Sequence, residues 1–240
     1  MMRGAVLVAA GKGVRVGGKI PKQFVELRGK PVLAHTLDAF YESGFFQEIV
    51  LVVPPGYRDY VLEKVLQPYF QFSTDDRIRE ISLQEPCIVE GSQERRKSVH
   101  LGIQELNPAC QTVCIHDGVR PLVSRGEIAE VVKAGEAHGA ATLAIPLKDT
   151  LKEVDYRGVV LNTLPRENYR LIQTPQCFSK KILAEAHQQA EINGEEATDD
   201  ASLVEQMGVA VKTIEGSYRN LKITTPEDLV LAGALWDMKE

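Results

Sequence analysis

The stretch AAGKGVRVGGKIPKQF, residues 9 to 24, is built to face a polyphosphate. Ala9, Ala10, Gly11 and Gly13 leave little side chain between a ligand and the backbone N–H groups. Arg15, Lys19 and Lys22 add positive charge to the same loop. Further along, GSQERRKSV places Arg95 and Ser98 three apart on one helical face, directly after a turn at Gly91 and Ser92 that can present backbone donors. In HDGVRP, Asp117 can hold a ribose hydroxyl or Mg²⁺, and Arg120 follows three residues later. Lys148, Asp149, Thr150 and Arg166 lie in or beside a later β-rich segment, and Lys222 precedes the last helical pattern. Glycines with cations suit a nucleotide. Each has a plain alternative: Arg95, Arg96 and Lys97 could be a solvated basic turn, His116 a core histidine, Asp117 a turn residue before Gly118, and the later cations surface groups.

Two familiar phosphate motifs fail on this loop. Gly13-x4-Gly18-Lys19 lacks the Ser or Thr that would hold Mg²⁺, because Ile20 stands there, and Pro21 follows where a P-loop helix should be gaining hydrogen bonds. The dinucleotide spacing fails too, since Val16 occupies the third glycine position.

Something must bring these segments together. Residues 4 to 10 form a continuous apolar run, as a strand covered on both faces does, and similar runs recur at 48 to 54, 112 to 117 and 140 to 146. Helical patterns between them, at 31 to 44 and 58 to 70, predict an α/β fold whose parallel strands carry ligands at their carboxyl ends. Ser124 with Glu127, and Thr225-Pro226-Glu227-Asp228, mark helix starts. Residues 148 to 172 break the rhythm. Two β-rich segments flank the turn-like DYRG, which predicts a hairpin arm inserted into one domain of residues 1 to 240. An isolated hairpin is marginal in water, so the arm is expected to pack on a second copy, giving a homodimer.

Composition narrows the partners. A formal charge of -5 provides no global field for nucleic acid or an anionic membrane. No stretch approaches a membrane span or a signal peptide, so the cytoplasm is expected. Cys87, Cys110, Cys114 and Cys177 lack zinc spacing and are expected to be small buried hydrophobes.

Taken together, the segments resemble the 4-diphosphocytidyl-2-C-methyl-D-erythritol synthase family from Val6 to about Leu231. The family's AAGxGxR and PKQ stand as Ala9 to Arg15 and Pro21-Lys22-Gln23. GGxxRxxSV stands as Gly91 to Val99, with Ser92 for a glycine, and HDAARP as His116 to Pro121, with Gly118-Val119 for two alanines. PxxDTxK, TPQ, TDDAS and NLKIT follow in order, TPQ contributing Thr174. The resemblance implies a Rossmann-like, GT-A-type mixed sheet flanked by helices, with an inserted β-hairpin dimerisation arm. It also implies transfer of CMP from CTP to 2-C-methyl-D-erythritol 4-phosphate with release of pyrophosphate. Arg15 and Lys22 would act at the α-phosphate; Ala9, Ala10, Gly91 and Ser98 would frame the cytosine, and Ser92 lies near it. The acceptor phosphate would fall to Arg166 and Lys222, aided by Arg120, Thr150 and Thr174, with Thr150 and Arg166 reaching in from the partner's arm. Mg²⁺ would bridge the triphosphate, with Asp117 the one candidate ligand. Two alternatives remain: a cytidylyltransferase acting on ribitol or ribulose 5-phosphate, and a non-catalytic CTP-binding module.

Overall fold

The computed structural model of the chain describes residues 1–11, 20–72, 84–194 and 197–238. Its first strand, β1 (Met2–Val8), shows why an unbroken apolar run belongs at the centre of a sheet. Ala5 and Leu7 point into one core cluster and Val6 into the other, so neither face meets water. β4 (Glu48–Val53) repeats the division, with Ile49, Leu51 and Val53 on one side and Val50 and Val52 on the other. With β5 (Cys87–Glu90), β6 (Cys110–Asp117), β7 (Ala140–Pro146), β10 (Arg170–Ser179) and β11 (Lys212–Glu215), these form a seven-stranded sheet in the order β11-β7-β10-β6-β1-β4-β5. β10 runs antiparallel to both its neighbours, and the remaining pairings are parallel. The sheet is therefore mixed, as expected.

Helices α1 (Val32–Ser43) and α4 (Arg125–His138) cover one face, where Leu33, Leu37, Phe40, Ile128 and Val131 bury themselves against the strands. Helices α3 (Arg95–Gln104), α5 (Lys180–Asn193) and α6 (Asp200–Gln206) cover the other through Val99, Ile103, Leu183, Leu203 and Val204. The segment expected to be helical at 58 to 70 is a short α2 (Arg58–Val61) that widens into a π-type turn over Leu62–Leu66. β1 also departs from its expected bounds. It ends at Val8, and Ala9 adds a last bond to β4 by donating its N–H to the Val52 carbonyl at 2.7 Å. Ala9 and Ala10 then line a cavity.

Both predicted caps form. The Ser124 side chain accepts from the Glu127 N–H while Glu127 reaches back to the Ser124 N–H, and Thr225 and Asp228 do the same at the start of α7 (Pro226–Asp237). α7 closes over a third cluster of Leu27, Val32, Val119, Leu122, Ile223 and Ala232. The short ladder of β2 (Glu26–Leu27) and β3 (Lys30–Pro31) lies beneath it. β8 (Leu151–Val154) and β9 (Val160–Leu164) form a separate antiparallel hairpin, turned by Gly158 at φ +80°. The cysteines are free; Cys110, Cys114 and Cys177 are buried as expected, but Cys87 is exposed on the edge strand β5.

Candidate active site

The carboxyl ends of β1 and β6 lie side by side, because Val8 pairs with Asp117. The loops leaving those ends therefore share one space, which is what the crevice of an open α/β sheet provides. A cavity of about 200 Å³ there is lined by Val8, Ala9, Ala10, Gly11, Lys22, Gln23, Ser92, Gln93, Arg95, Ser98, Asp117, Val119 and Lys222. A second, of about 380 Å³, adjoins it through Arg95, Asp117 and Lys222 and extends to Arg120, Thr174 and Asp199. The first alone is smaller than the roughly 300–1,000 Å³ usual for a ligand pocket, whereas the two together reach that size. They are best treated as one cleft, with Asp117 on the shared wall.

Small residues are required at its floor. A Cβ on Gly91 would stand 2.5 Å from the Ala10 Cβ and 2.8 Å from the Ser98 Oγ. A Cβ on Gly118 would stand 2.9 Å from the Ala9 Cβ and 3.0 Å from the Leu33 Cδ1, so in this chain glycine is the residue that lets the two strand ends close up. Ser98 is buried, receiving the Ser92 N–H at 2.9 Å and donating to the Ser92 and Glu94 carbonyls at 3.0 and 3.1 Å. Its hydroxyl shapes the turn at the start of α3. Lys22 stands on a 3₁₀ turn (Lys22–Phe24), and the neighbouring Gln23, itself buried, ties that turn to the loop by donating to the Ala9 and Gly11 carbonyls at 2.6 and 3.0 Å.

Asp117 is the electrostatic centre. Its carboxylate receives Lys222 Nζ at 2.9 Å and Arg95 and Arg120 at 3.4 Å each. Burial alone would raise its pKa; Arg95, Lys222 and Arg120 together hold it well below the usual carboxylate range. Arg120 is buried and also donates to the Asn220 carbonyl at 2.7 Å. Thr174 is buried too, its hydroxyl accepting the Asp117 N–H at 3.0 Å. His116 is the core histidine of the plainer reading. It is fully buried, with Nδ1 at 3.0 Å from the Thr174 hydroxyl and Nε2 at 3.3 Å from the Arg120 carbonyl, and burial lowers its pKa to about 3.

Of the residues singled out in the sequence, the cleft thus gathers Ala9, Ala10, Gly11, Lys22, Ser92, Arg95, Ser98, Asp117, Arg120, Thr174 and Lys222, with Gly91 packed beneath them. Gly13 and Arg15 lie outside the described residues. Thr150 and Arg166 line neither cavity; both are exposed at the root of the hairpin, where Arg166 donates to the Lys148 carbonyl. Gln23, His187 and Asp200 were not foreseen as part of the site or its support. Only the TDDAS motif hinted at the last, and His187 had no local signal.

Residues 4–237 match the family model described as IspD, 2-C-methyl-D-erythritol 4-phosphate cytidylyltransferase. A protein of that name from Pelotomaculum thermopropionicum is 46% identical, over 96% of this chain and 92% of its own length. Another from Desulforamulus reducens is 43% identical, over 96% and 94%. Among solved structures, the 4-diphosphocytidyl-2C-methyl-D-erythritol synthase of Anaerococcus prevotii superposes with a TM-score of 0.81 at 31% identity, covering 98% of each chain. The cytidylyltransferase of Thermus thermophilus gives 0.75 at 34% identity with the same coverage.

Proposed function

The chain belongs to the 2-C-methyl-D-erythritol 4-phosphate cytidylyltransferase family, and from that premise we propose how its own residues divide the work. The activity is CTP-dependent cytidylyl transfer to 2-C-methyl-D-erythritol 4-phosphate on the route to isoprenoids, and neither the pentitol-phosphate nor the CTP-sensing alternative is favoured. An oxygen of the acceptor phosphate attacks the α-phosphorus in line; the bond from that phosphorus to the β-bridging oxygen breaks, and pyrophosphate leaves with the electron pair. The nucleophile is already an anion, so no proton need be moved. The barrier is charge repulsion and positioning, both of which fixed cations lower.

The nucleotide occupies the cavity floored by Ala9, Ala10, Gly11 and Gly91, with Arg95 in its wall and Lys22 at the α-phosphate; the AAGxGxR motif assigns Arg15 to the same phosphate. Lys222 is the acceptor-side cation. The observation that carries this division is its position: a half-exposed amine, 2.9 Å from Asp117, on the wall common to both cavities. A phosphate entering there exchanges one anionic partner for another without unfolding anything. Arg120 and Thr174 line the acceptor-side cavity while being bound into the protein around Asp117.

Mg²⁺ fits as a companion of the triphosphate. Among the described residues no group of three His, Cys, Asp or Glu side chains could hold a metal, and Asp117 offers one hard oxygen ligand to an ion otherwise bound by phosphate and water. Such an ion would supply neutralisation of the phosphate oxygens. The homodimer joins through the hairpin arm, which exposes Val154, Tyr156, Val160 and Leu161 and brings Thr150 and Arg166 to the partner's cleft. A cytoplasmic setting agrees with four free thiols. No helix among the described residues is long and apolar enough to cross a membrane.

Pyrophosphate release with CTP and Mg²⁺, compared between methylerythritol phosphate and ribitol 5-phosphate, tests the reading. Turnover with the former should fall by ~10²–10³ in Lys22→Ala while the melting temperature holds. A preference for ribitol phosphate, or an undiminished Lys22→Ala, would refute it.

A further inference from the structure

Arg95 is shared by two carboxylates, and the contacts are unequal. One terminal nitrogen donates to Asp200 Oδ2 at 2.8 Å, whereas Nε reaches Asp117 Oδ1 only at 3.4 Å. Asp200 sits at the first turn of α6, 1% exposed, and lines neither cavity. Its second oxygen accepts from His187 Nε2 at 3.0 Å, and its backbone N–H donates to Gln176 Oε1 at 3.2 Å. The His187 ring is fully buried on α5, and its Nδ1 has no hydrogen-bond partner among the described residues. The bond to Asp200 is thus the polar contact by which the ring is oriented.

We propose that Asp200 is a positioning residue for cytidylyl transfer: backed by His187, it fixes the Arg95 guanidinium in the wall of the nucleotide cavity and keeps it only loosely engaged with Asp117. The proposal deepens the assignment of Arg95 to the nucleotide and rests on it. A planar guanidinium held by a charged acceptor is fixed in direction as well as place. Three cations, Arg95, Arg120 and Lys222, surround Asp117. Without the charge of Asp200, Arg95 has one carboxylate left within reach and closes onto Asp117. That movement takes the guanidinium away from the nucleotide and occupies the oxygen a ribose hydroxyl or Mg²⁺ would use. The site is spoiled twice by a residue that never touches substrate.

A double-mutant cycle distinguishes positioning from a purely structural role. Asp200→Asn keeps the size of the side chain and the acceptor facing Arg95 but removes the charge, and its NH2 group can be met by the His187 ring in the tautomer that leaves Nε2 an acceptor. It should raise KM for CTP by about tenfold or more, the scale on which residues supporting a site usually act, with a smaller fall in kcat. Arg95→Ala should raise the same KM, and adding Asp200→Asn to it should change the kinetics no further, since Asp200 acts only through Arg95. Should Asp200→Asn fail to fold, His187→Gln reports on the same chain of contacts, with a smaller shift in the same direction. Additive kinetic losses in the double variant, or a KM for CTP that neither Asp200→Asn nor His187→Gln moves, would overturn the proposal. A wild-type KM in Arg95→Ala would remove the underlying assignment, and the proposal with it.

Discussion

At the residue scale the cleft is a problem in keeping one carboxylate useful. Asp117 is buried among Arg95, Arg120 and Lys222, and its neighbour His116 stays neutral because burial pushes its pKa down to about 3. A protonated His116 would add a fourth positive charge beside three. That arrangement has a signature in stability. His116 has a depressed pKa in the folded chain, so its contribution is present above the unfolded value near 6.5 and drains away as pH falls towards 3. Asp117 and Asp200 are depressed as well, but their contributions are lost only below about pH 4. Between about pH 6.5 and 4, His116 is therefore a source of acid sensitivity, and the less buried His100, also lowered, acts in the same direction. The slope reaches at most about 1.4 kcal/mol per pH unit. His116→Gln should be less stable than the parent at pH 7 yet lose less on going to pH 4.5 in chemical denaturation. Parallel curves for the two proteins would show that His116 does not titrate with folding. Asp117 and Arg120 were visible in the sequence because they stand three positions apart at a strand end. Asp200 and His187 were not, since the contact joining them to Arg95 crosses more than ninety residues and no local pattern encodes it.

At the scale of elements, legibility followed burial and caps. β1, β4, β6 and β7 announced themselves as apolar runs because both their faces are covered. β10 did not. Its first three residues are exposed, its register shifts between Ile172 and Gln176, and Pro175 lies within it, a residue that argues against a central strand. β11 is four residues on an edge, too short for a period to show. Helix starts were legible because a cap is local chemistry, and the one at α7 separates stability from activity. Asp228 there accepts from the Thr224 hydroxyl and from the Thr224 and Thr225 N–H groups, at 2.6, 2.8 and 2.8 Å, and these two threonines follow Lys222 by two and three positions. Lys222 itself is held from its other neighbours: Ile223 donates to the Val119 carbonyl at 2.9 Å, and Asn220 Nδ2 donates to the Thr174 carbonyl at 2.8 Å. Thr225→Ala should therefore cost about 1 kcal/mol and lower Tm by about 2–4 °C. Its kcat/KM should stay within about twofold of the parent. A large loss of activity at unchanged Tm would mean that the cap, rather than Ile223 and Asn220, sets the place of Lys222.

At the scale of the whole molecule, the described residues of a single chain leave the hairpin without a covering layer. Among them β8 and β9 pair only with each other, and Val154, Val160 and Leu161 are each more than half exposed, with Tyr156 at 94%. Two strands with an apolar surface and no third element against them are marginal in water. Thr150 and Arg166 stand at the root of this arm and line neither cavity of their own chain. If the arm serves a second copy, each active site is assembled from the body of one subunit and the arm of the other, and the two contributions can be separated genetically. Arg166→Ala and Lys222→Ala should each be nearly inactive as pure homodimers. Mixed and allowed to exchange subunits, they form heterodimers in which one cleft carries both defects and the other neither. With random exchange, about half the dimers are mixed and each holds one intact site of two, so activity should return to about a quarter of the parental level. If Arg166 instead serves its own chain, every site in the mixture keeps one defect and no activity returns. Sedimentation of the same mixture at falling concentration completes the test, because the recovered activity should disappear together with the dimer.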